Sequence, residues 1–345
     1  MLKVGIVGAS GYTGVELTRL ICRHPGLELT VATSRQYAGQ KLAVVFPNLR
    51  GLTDIICENI SGPELAGRAD VFFTAVPHQT AMDIVPELLA AGKKVIDLSA
   101  DFRIHDPEVY EQWYQSHSAR ELLPEAVYGL PELYREAVGG ARLVANPGCY
   151  PTSIILGLAP VLKAGLVRSD NLIIDSKSGA AGAGRGAQVG TLYCEVADGF
   201  RAYKVAEHRH TPEIEQELSL LAGEDITVSF TPHLLPMSRG ILSTIYADLK
   251  VDVTDDAVFA LYEEFYKDEY FVRLCPPGQL PATQYVRGSN FCDIGLKVDP
   301  RTKRLIIVSA IDNLVKGAAG QALQNMNLIC GFGESDGLLN IPIFP

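Results

Sequence analysis

Cys149 lies in the stretch Asn146-Pro147-Gly148-Cys149-Tyr150-Pro151-Thr152, where an extended segment over residues 141–145 gives way to a helical one over 152–164. Pro151 suits the first turn of that helix, because the N–H it lacks would be unpaired there. A cysteine at such a point sits beside unpaired N–H groups and the positive end of the helix dipole. That setting favours thiolate over thiol, and thiolate is the nucleophilic form. Gly148 removes a side chain that would hinder approach to the sulfur. The same residues also admit a plainer reading, a small buried cysteine at a turn.

A nucleophile of this kind needs a proton-handling partner. Glu207-His208-Arg209-His210-Thr211-Pro212-Glu213 supplies candidates. Thr211 reads as an N-cap, Pro212 as the first helical residue and Glu213 as a first-turn acid, opening a helix to about residue 221. Histidines just before a helix N-terminus have their charged form disfavoured, so they stay neutral and available for proton transfer. The His208/His210 pair could instead bind a metal ion, but no third ligand lies at a recognisable spacing, and no metal is expected.

The elements that position these groups begin at the N-terminus. Residues 2–7 form a short β-branched run, followed by Gly8-Ala9-Ser10-Gly11-Tyr12-Thr13-Gly14 and a helical pattern over 15–23. Strand, glycine turn, helix is the opening of a dinucleotide-binding unit, in which the glycines permit close approach of a pyrophosphate to a helix N-terminus. The spacing is GxxGxxG, not GxGxxG, so its place between strand and helix carries much of the weight. The next strand, residues 27–33, ends at Ser34-Arg35. A hydroxyl and a guanidinium there suit a 2′-phosphate better than free ribose hydroxyls, which favours NADP; the alternative is that Arg35 is a solvated loop charge.

Two further strands, residues 71–76 and 94–98, lead into loops that start at Pro77 and Ser99. Strands alternating with helices, as at 81–91, indicate a parallel doubly wound sheet whose ligands gather beyond the carboxyl ends of the strands. Arg103 on that edge offers a planar cation for a phosphate or carboxylate, or else a salt bridge to Asp101 or Asp106. His78 reads as a packing or hydrogen-bonding residue. Residues 105–140 are polar, aromatic and loop-rich, and read as a cover over the site edge.

After the Cys149 helix, strand-like segments dominate, at 171–176, 226–231, 240–249 and 305–311. They predict a second, α+β domain with a large mixed sheet, distinct from the Rossmann-type first domain. The expected division is 1–148 with 313–345 for dinucleotide binding and 149–312 for catalysis and self-association. The glycine-rich run 176–186 lacks the ending of a phosphate-binding P-loop, which excludes a kinase. After Asp312-Asn313, the small residues of 316–322 suit a helix packed closely on a sheet or a cofactor, returning to the first domain.

At 345 residues and 47% hydrophobic, the chain can build two cores. A net charge of -10 argues against nucleic acid or an anionic membrane as partner. Seven scattered cysteines with no CxxC pair fit reduced thiols in a soluble cytoplasmic protein, and neither a signal peptide nor a membrane span is visible.

With these residues in hand, the chain resembles the N-acetyl-γ-glutamyl-phosphate reductases, NADP enzymes of arginine biosynthesis related to the aspartate-semialdehyde dehydrogenases. The likeness runs through GASGYTG, TSR, AVPH, DLSADFR, YGLPEL, NPGCYPT, SGAAGAG, HRHTPEI and DNLVKGAAGQALQN, almost the whole chain. It implies Cys149 as nucleophile and His208 as general acid/base, with His210, Tyr203 and Arg103 in the substrate pocket. It also implies Gly8, Ser10, Gly11, Tyr12, Thr13, Gly14, Ser34, Arg35, Pro77, Ser99, Gly179 and Asn313 as NADP contacts. The substrate would be a small acyl phosphate, reduced to a semialdehyde through a cysteine thioester, in a homo-oligomer (dimer or tetramer). An aspartate-semialdehyde dehydrogenase shares this chemistry and is the competing reading.

Overall fold

A computed structural model describes all residues, 1–345. The chain forms two compact units: Met1–Pro147 with Ala318–Leu339, and Gly148–Gly317 with Asn340–Pro345. The first crossing thus falls one residue before the expected boundary. Residues 313–317 and 340–345 fold with the second unit, not with the first as expected.

The first unit is built on seven strands: β1 (Leu2–Val7), β2 (Leu27–Thr33), β3 (Cys57–Glu58), β4 (Val71–Thr74), β5 (Lys94–Asp97), β6 (Ala126–Tyr128) and β7 (Leu143–Ala145). Their order is β3-β2-β1-β4-β5-β7-β6, and every neighbouring pair is parallel. Val4, Ile6, Phe72, Phe73, Val95 and Ile96 are fully buried, as a sheet covered on both faces requires. The strand order reverses between β1 and β4, the switch point of a doubly wound sheet.

Residues 105–140 are more regular than expected. Asp106 caps a helix, Pro107–Trp113, by accepting the Glu108 N–H at 2.8 Å. The segment then adds β6 to the sheet edge and a helix, Pro131–Gly140, kinked at Tyr134. A three-residue strand is too short for alternation to reveal it.

The second unit holds β8 (Val167–Gly179), β9 (Arg201–Ala202), β10 (Val228–Leu235), β11 (Ile241–Leu249), β12 (Val272–Leu274), β13 (Cys292–Asp299) and β14 (Arg304–Ile311). The order is β12-β13-β14-β11-β8-β10-β9. The β8/β10 and β12/β13 pairs are parallel and the rest antiparallel, so the sheet is mixed.

The helix Cys149–Lys163 is buried from Tyr150 to Leu162. Its Gly157 faces the sheet, where an added Cβ would lie 3.1 Å from the Ile245 side chain. Pro160 has no N–H for the Leu156 carbonyl one turn back; the Tyr266 hydroxyl donates to that oxygen instead, at 2.5 Å. This lets a proline sit inside a buried helix. After β14 a π-helical turn, Val315–Ala319, precedes the helix Gly320–Cys330. No helix is long and apolar enough to cross a membrane.

Candidate active site

In the first unit the turn after β1 is shaped by glycine. Gly8 has φ +91°, and a Cβ there would lie 2.4 Å from the Ala75 carbonyl oxygen. At Gly14 a Cβ would meet Ala9 Cα and the Gly8 carbonyl at 2.6 Å. Both positions exclude side chains for internal reasons. Gly11 differs: the nearest atom to an added Cβ is the Gly8 oxygen at 3.8 Å. Packing does not require the absence of a side chain there.

The helix that follows, Tyr12–Ile21, begins three residues earlier than its periodicity predicts. It has neither a side-chain cap nor an acid in its first turn, so its N–H groups and positive dipole end suit an anion. Ser10 Oγ lies 2.8 Å from Ser34 Oγ, tying the turn to the end of β2. Ser34 is buried while Arg35 beside it is exposed.

The loops after β4 and β5 lock together. Gln79, two residues past Pro77, takes φ +81° and donates its N–H to both Asp101 carboxylate oxygens, at 3.0 and 2.8 Å. His78 Nδ1 accepts the Ala100 N–H at 3.0 Å, in keeping with a hydrogen-bonding part. Ser99 turns inward, donating from Oγ to Asp97 Oδ2 at 2.6 Å, so its side chain is engaged with the protein. Asp97 is fully buried and its carboxyl is raised to about 6, by burial first and the nearby Asp101 second. Arg103 is also buried: Nε donates to the Asn146 carbonyl at 2.7 Å and Nη2 to the Leu98 carbonyl at 2.8 Å. It therefore braces the main chain leading to Pro147, a part that its charge alone does not announce.

In the second unit Cys149 is itself the first residue of the helix, with Gly148 as N-cap, three residues before the predicted start. Pro151 is third, still within the turn where its missing N–H is harmless. Cys149 is half-buried. Gly317 presses on it, for a Cβ there would come within 2.8 Å of Cys149 Cβ.

Tyr150 is the hub of the site. Its ring meets His208 edge-on with centroids 5.4 Å apart, His210 at 5.9 Å and Phe230 at 5.3 Å. Its hydroxyl lies 3.0 Å from that of Tyr203, whose own ring is 5.6 Å from His208. Burial above all raises both phenols, Tyr203 to about 12 and Tyr150 further, so they serve as neutral hydrogen-bonding groups.

His208 is held at about 4, chiefly by burial and secondarily by Lys204 and Arg209. The imidazole is therefore neutral at neutral pH. Its Nδ1 accepts the His210 N–H at 3.1 Å, which leaves the ring proton on Nε2. His210, not Thr211, stands at the helix N-cap; Thr211 and Pro212 are the first two helical residues of Thr211–Ala222. No group of three His, Cys, Asp or Glu side chains is placed to hold a metal ion.

Gly179 and Asn313 meet through Gly240. The Gly179 N–H donates to the Gly240 carbonyl at 2.9 Å, and the Gly240 N–H donates to Asn313 Oδ1 at 2.7 Å. Asn313 is 2% exposed, and its Nδ2 has no hydrogen-bond partner within the protein, so a buried donor is left unused.

Within the second unit the fold thus gathers Cys149, Tyr203, His208 and His210, while the turn at Gly8–Gly14 with Ser34 forms a separate group in the first. Sequence reasoning passed over Tyr150, Glu213 as a partner of Gly148, and Gly317. An aromatic directly after the cysteine was the one local signal for Tyr150.

A glycine-turn parallel sheet, together with a mixed-sheet unit bearing a cysteine at a helix mouth, defines the semialdehyde dehydrogenase class. Two family models describe these units: "Semialdehyde dehydrogenase, NAD binding domain" matches residues 3–141, and "Semialdehyde dehydrogenase, dimerisation domain" matches 149–313. Proteins named N-acetyl-gamma-glutamyl-phosphate reductase are 67% identical in Desulfotalea psychrophila, 59% in Geobacter sp. strain M21 and 57% in Syntrophobacter fumaroxidans, each over 100% of both chains. The chain belongs to the N-acetyl-γ-glutamyl-phosphate reductase family.

Its fold is also that of solved aspartate semialdehyde dehydrogenases. Enzyme II of Vibrio cholerae, complexed with ASA, aligns with a TM-score of 0.74 at 17% identity, over 96% of this chain and 98% of that one. The Candida albicans enzyme with NADP aligns at 0.72 and 16%, over 96% and 98%.

Proposed function

We propose that this chain reduces N-acetyl-γ-glutamyl phosphate to the corresponding semialdehyde and phosphate, with NADPH as reductant and Cys149 as the covalent nucleophile. The observation that carries the reading is the placement of Cys149 on the first turn of a buried helix, next to a tyrosine that touches His208. The Cys149 thiolate attacks the acyl carbon, the tetrahedral oxyanion collapses, and phosphate leaves, taking up the one proton that the overall reaction consumes at neutral pH. A thioester on Cys149 remains. NADPH, when bound, supplies the hydride that reduces this thioester.

His208, neutral with its proton on Nε2, donates a hydrogen bond to each oxyanion as it forms. Collapse of the second oxyanion releases aldehyde and returns the thiolate. His210 and Tyr203 line the substrate side; Arg103, whose Nε and Nη2 already hold the Asn146 and Leu98 carbonyls, serves the site by bracing the main chain that leads to it and not as a direct anion ligand.

The cofactor fits the first unit: Gly8 and Gly14 shape the turn, Gly11 leaves it approachable, and the following helix has no acid in its first turn. Ser10, Tyr12 and Thr13 contribute to this cradle, Ser34 and Arg35 to the 2′-phosphate, Pro77 and Ser99 to the adjoining edge. Gly179 and Asn313 are further cofactor contacts, Asn313 for the nicotinamide amide. Seven free thiols support a reducing, cytoplasmic setting. The family description of residues 149–313 as a dimerisation domain supports assembly into a dimer or tetramer.

The test is phosphate-dependent NADP reduction by the purified chain, with N-acetylglutamate semialdehyde and with aspartate semialdehyde. The proposal expects kcat/KM for the acetylated substrate to exceed that for the other by about 100-fold or more, as loss of buried specific contacts implies. Equal or reversed preference would reject it in favour of an aspartate-semialdehyde dehydrogenase.

A further inference from the structure

Glu213 does more than open its own helix. It is 1% exposed, and its Oε1 accepts the Gly148 N–H at 2.7 Å across 65 residues of sequence. A Cβ built on Gly148 would come within 2.9 Å of Glu213 Oε2 and 2.7 Å of His210 Nε2. Both side chains therefore press on the glycine, and any larger residue at 148 would push them away.

The physical setting explains why an acid serves here. Gly148 is the N-cap of the Cys149 helix, so its N–H belongs to the turn whose donors have no partner within the helix. Glu213 stands in the first turn of its own helix, where the dipole stabilises a carboxylate. A charge-assisted bond between the two joins one helix mouth to the other. Because His208 and His210 directly precede the second helix and Cys149 begins the first, that bond, together with the Tyr150 ring packed on both imidazoles, sets the nucleophile against the histidines. It also commits one donor of the Cys149 turn, since Gly148 gives its N–H to Glu213.

We propose that Glu213 is a positioning residue for the reaction, a clamp that holds the N-cap of the Cys149 helix against the His208-Arg209-His210 segment. The inference rests on the reading of Cys149 and His208 given above. Its signature is a loss in turnover, not in cofactor binding, together with rescue by an uncharged acceptor of the same length.

The experiment compares wild type, Glu213→Gln, Glu213→Asp and Glu213→Ala in phosphate-dependent NADP reduction, with thermal melts of each full-length chain. Glutamine keeps an oxygen at the right reach, aspartate falls one methylene short and alanine has no acceptor. Misplacement of reacting groups by about 1 Å costs on the order of 100-fold, so Glu213→Ala should lower kcat by about that factor while KM for NADP stays within about threefold. Glu213→Gln should hold kcat within about tenfold of wild type and above Glu213→Asp. An alanine variant as active as wild type would overturn the inference, as would a glutamine variant no better than alanine. Should the alanine chain not fold, the pair Gln and Asp decides: glutamine at or below aspartate overturns it. A wild-type chain without phosphate-dependent activity would reject the parent reading and this one together, whereas active wild type with an equally active alanine variant rejects the clamp alone.

Discussion

Two helices in this molecule start from the same raw material and end in different uses. Tyr12–Ile21 and Cys149–Lys163 each have a glycine N-cap, no side-chain cap and no acid of their own in the first turn. At Gly11 no atom lies nearer to an added Cβ than the Gly8 carbonyl, at 3.8 Å. At Gly148 the corresponding space is taken by His210 and Glu213. The N–H groups and dipole of a helix mouth would thus suit an incoming anion in one unit and a resident thiol in the other, on the function proposed above. What separates them is whether the rest of the unit brings side chains to the mouth.

That contrast can be broken first at the furnished mouth. Cys149→Ser should lower kcat for phosphate-dependent NADP reduction by about 1,000-fold or more, the scale seen when a nucleophile is removed from a constellation that acts as a unit. Turnover near wild type would show the second helix mouth to be structural. His208→Ala should cost about 100- to 1,000-fold in kcat with KM for NADP little changed, the loss of one oxyanion donor.

The same histidine gives a pH signature. Its folded-state value, about 4, lies below the ordinary 6.5, so the unfolded chain binds the extra proton first as pH falls. Its contribution to stability is therefore complete above about pH 6.5 and is lost progressively down to about pH 4. Urea midpoints of wild type should fall across that window, and His208→Ala should flatten the slope. An unchanged slope would contradict burial as the cause of the shift.

The glycines sharpen the comparison directly. Gly148→Ala should destabilise the fold by about 1–3 kcal/mol, as forced insertion into a filled space does, and lower kcat as well. Gly11→Ala should leave the melting temperature unchanged yet raise KM for NADPH. If both variants lost stability alike, the two mouths would not differ as described. The smallest effect belongs to Arg35→Ala, expected to reduce the preference for NADPH over NADH by about tenfold, the loss of one charge-assisted contact to phosphate.

How much of this was legible beforehand follows the range of the interactions involved. β1 and β2 lie where their β-branched runs place them, because the pattern and the bounding glycines are local. The glycine turn was equally plain, since a tight reversal constrains neighbouring residues only. Helix starts were less so. Pro151 lies in the first turn as read, although the helix starts at Cys149 and not at 152; Pro212 reads as a first helical residue yet stands second, because proline is tolerated anywhere in a turn whose N–H groups lack partners. β10 runs on through Pro232 to Leu235 although proline normally ends a strand, because its outer neighbour β9 is only two residues long and pairs beyond the proline, at His233 and Leu234. β13 was missed outright, its alternation masked by Gly295, which sits beneath Pro281.

In the site, residue types were legible and their partners were not. Arg103 was read for its charge, but its depth and its grip on two main-chain carbonyls depend on residues 98 and 146 folding around it. Glu213 reaches Gly148, and Gly317 reaches Cys149, only through tertiary structure. No periodicity or local propensity encodes such a pairing.

The central claim is that Cys149 carries the acyl group. Mixing the enzyme with N-acetyl-γ-glutamyl phosphate in the absence of NADPH, followed by acid quench and peptide mass analysis, tests it most directly. The account predicts a hydroxylamine-labile N-acetylglutamyl adduct on the peptide containing Cys149, absent from Cys149→Ala and discharged when NADPH is added before the quench. An adduct on another residue, or none at all while phosphate is still released, would contradict it.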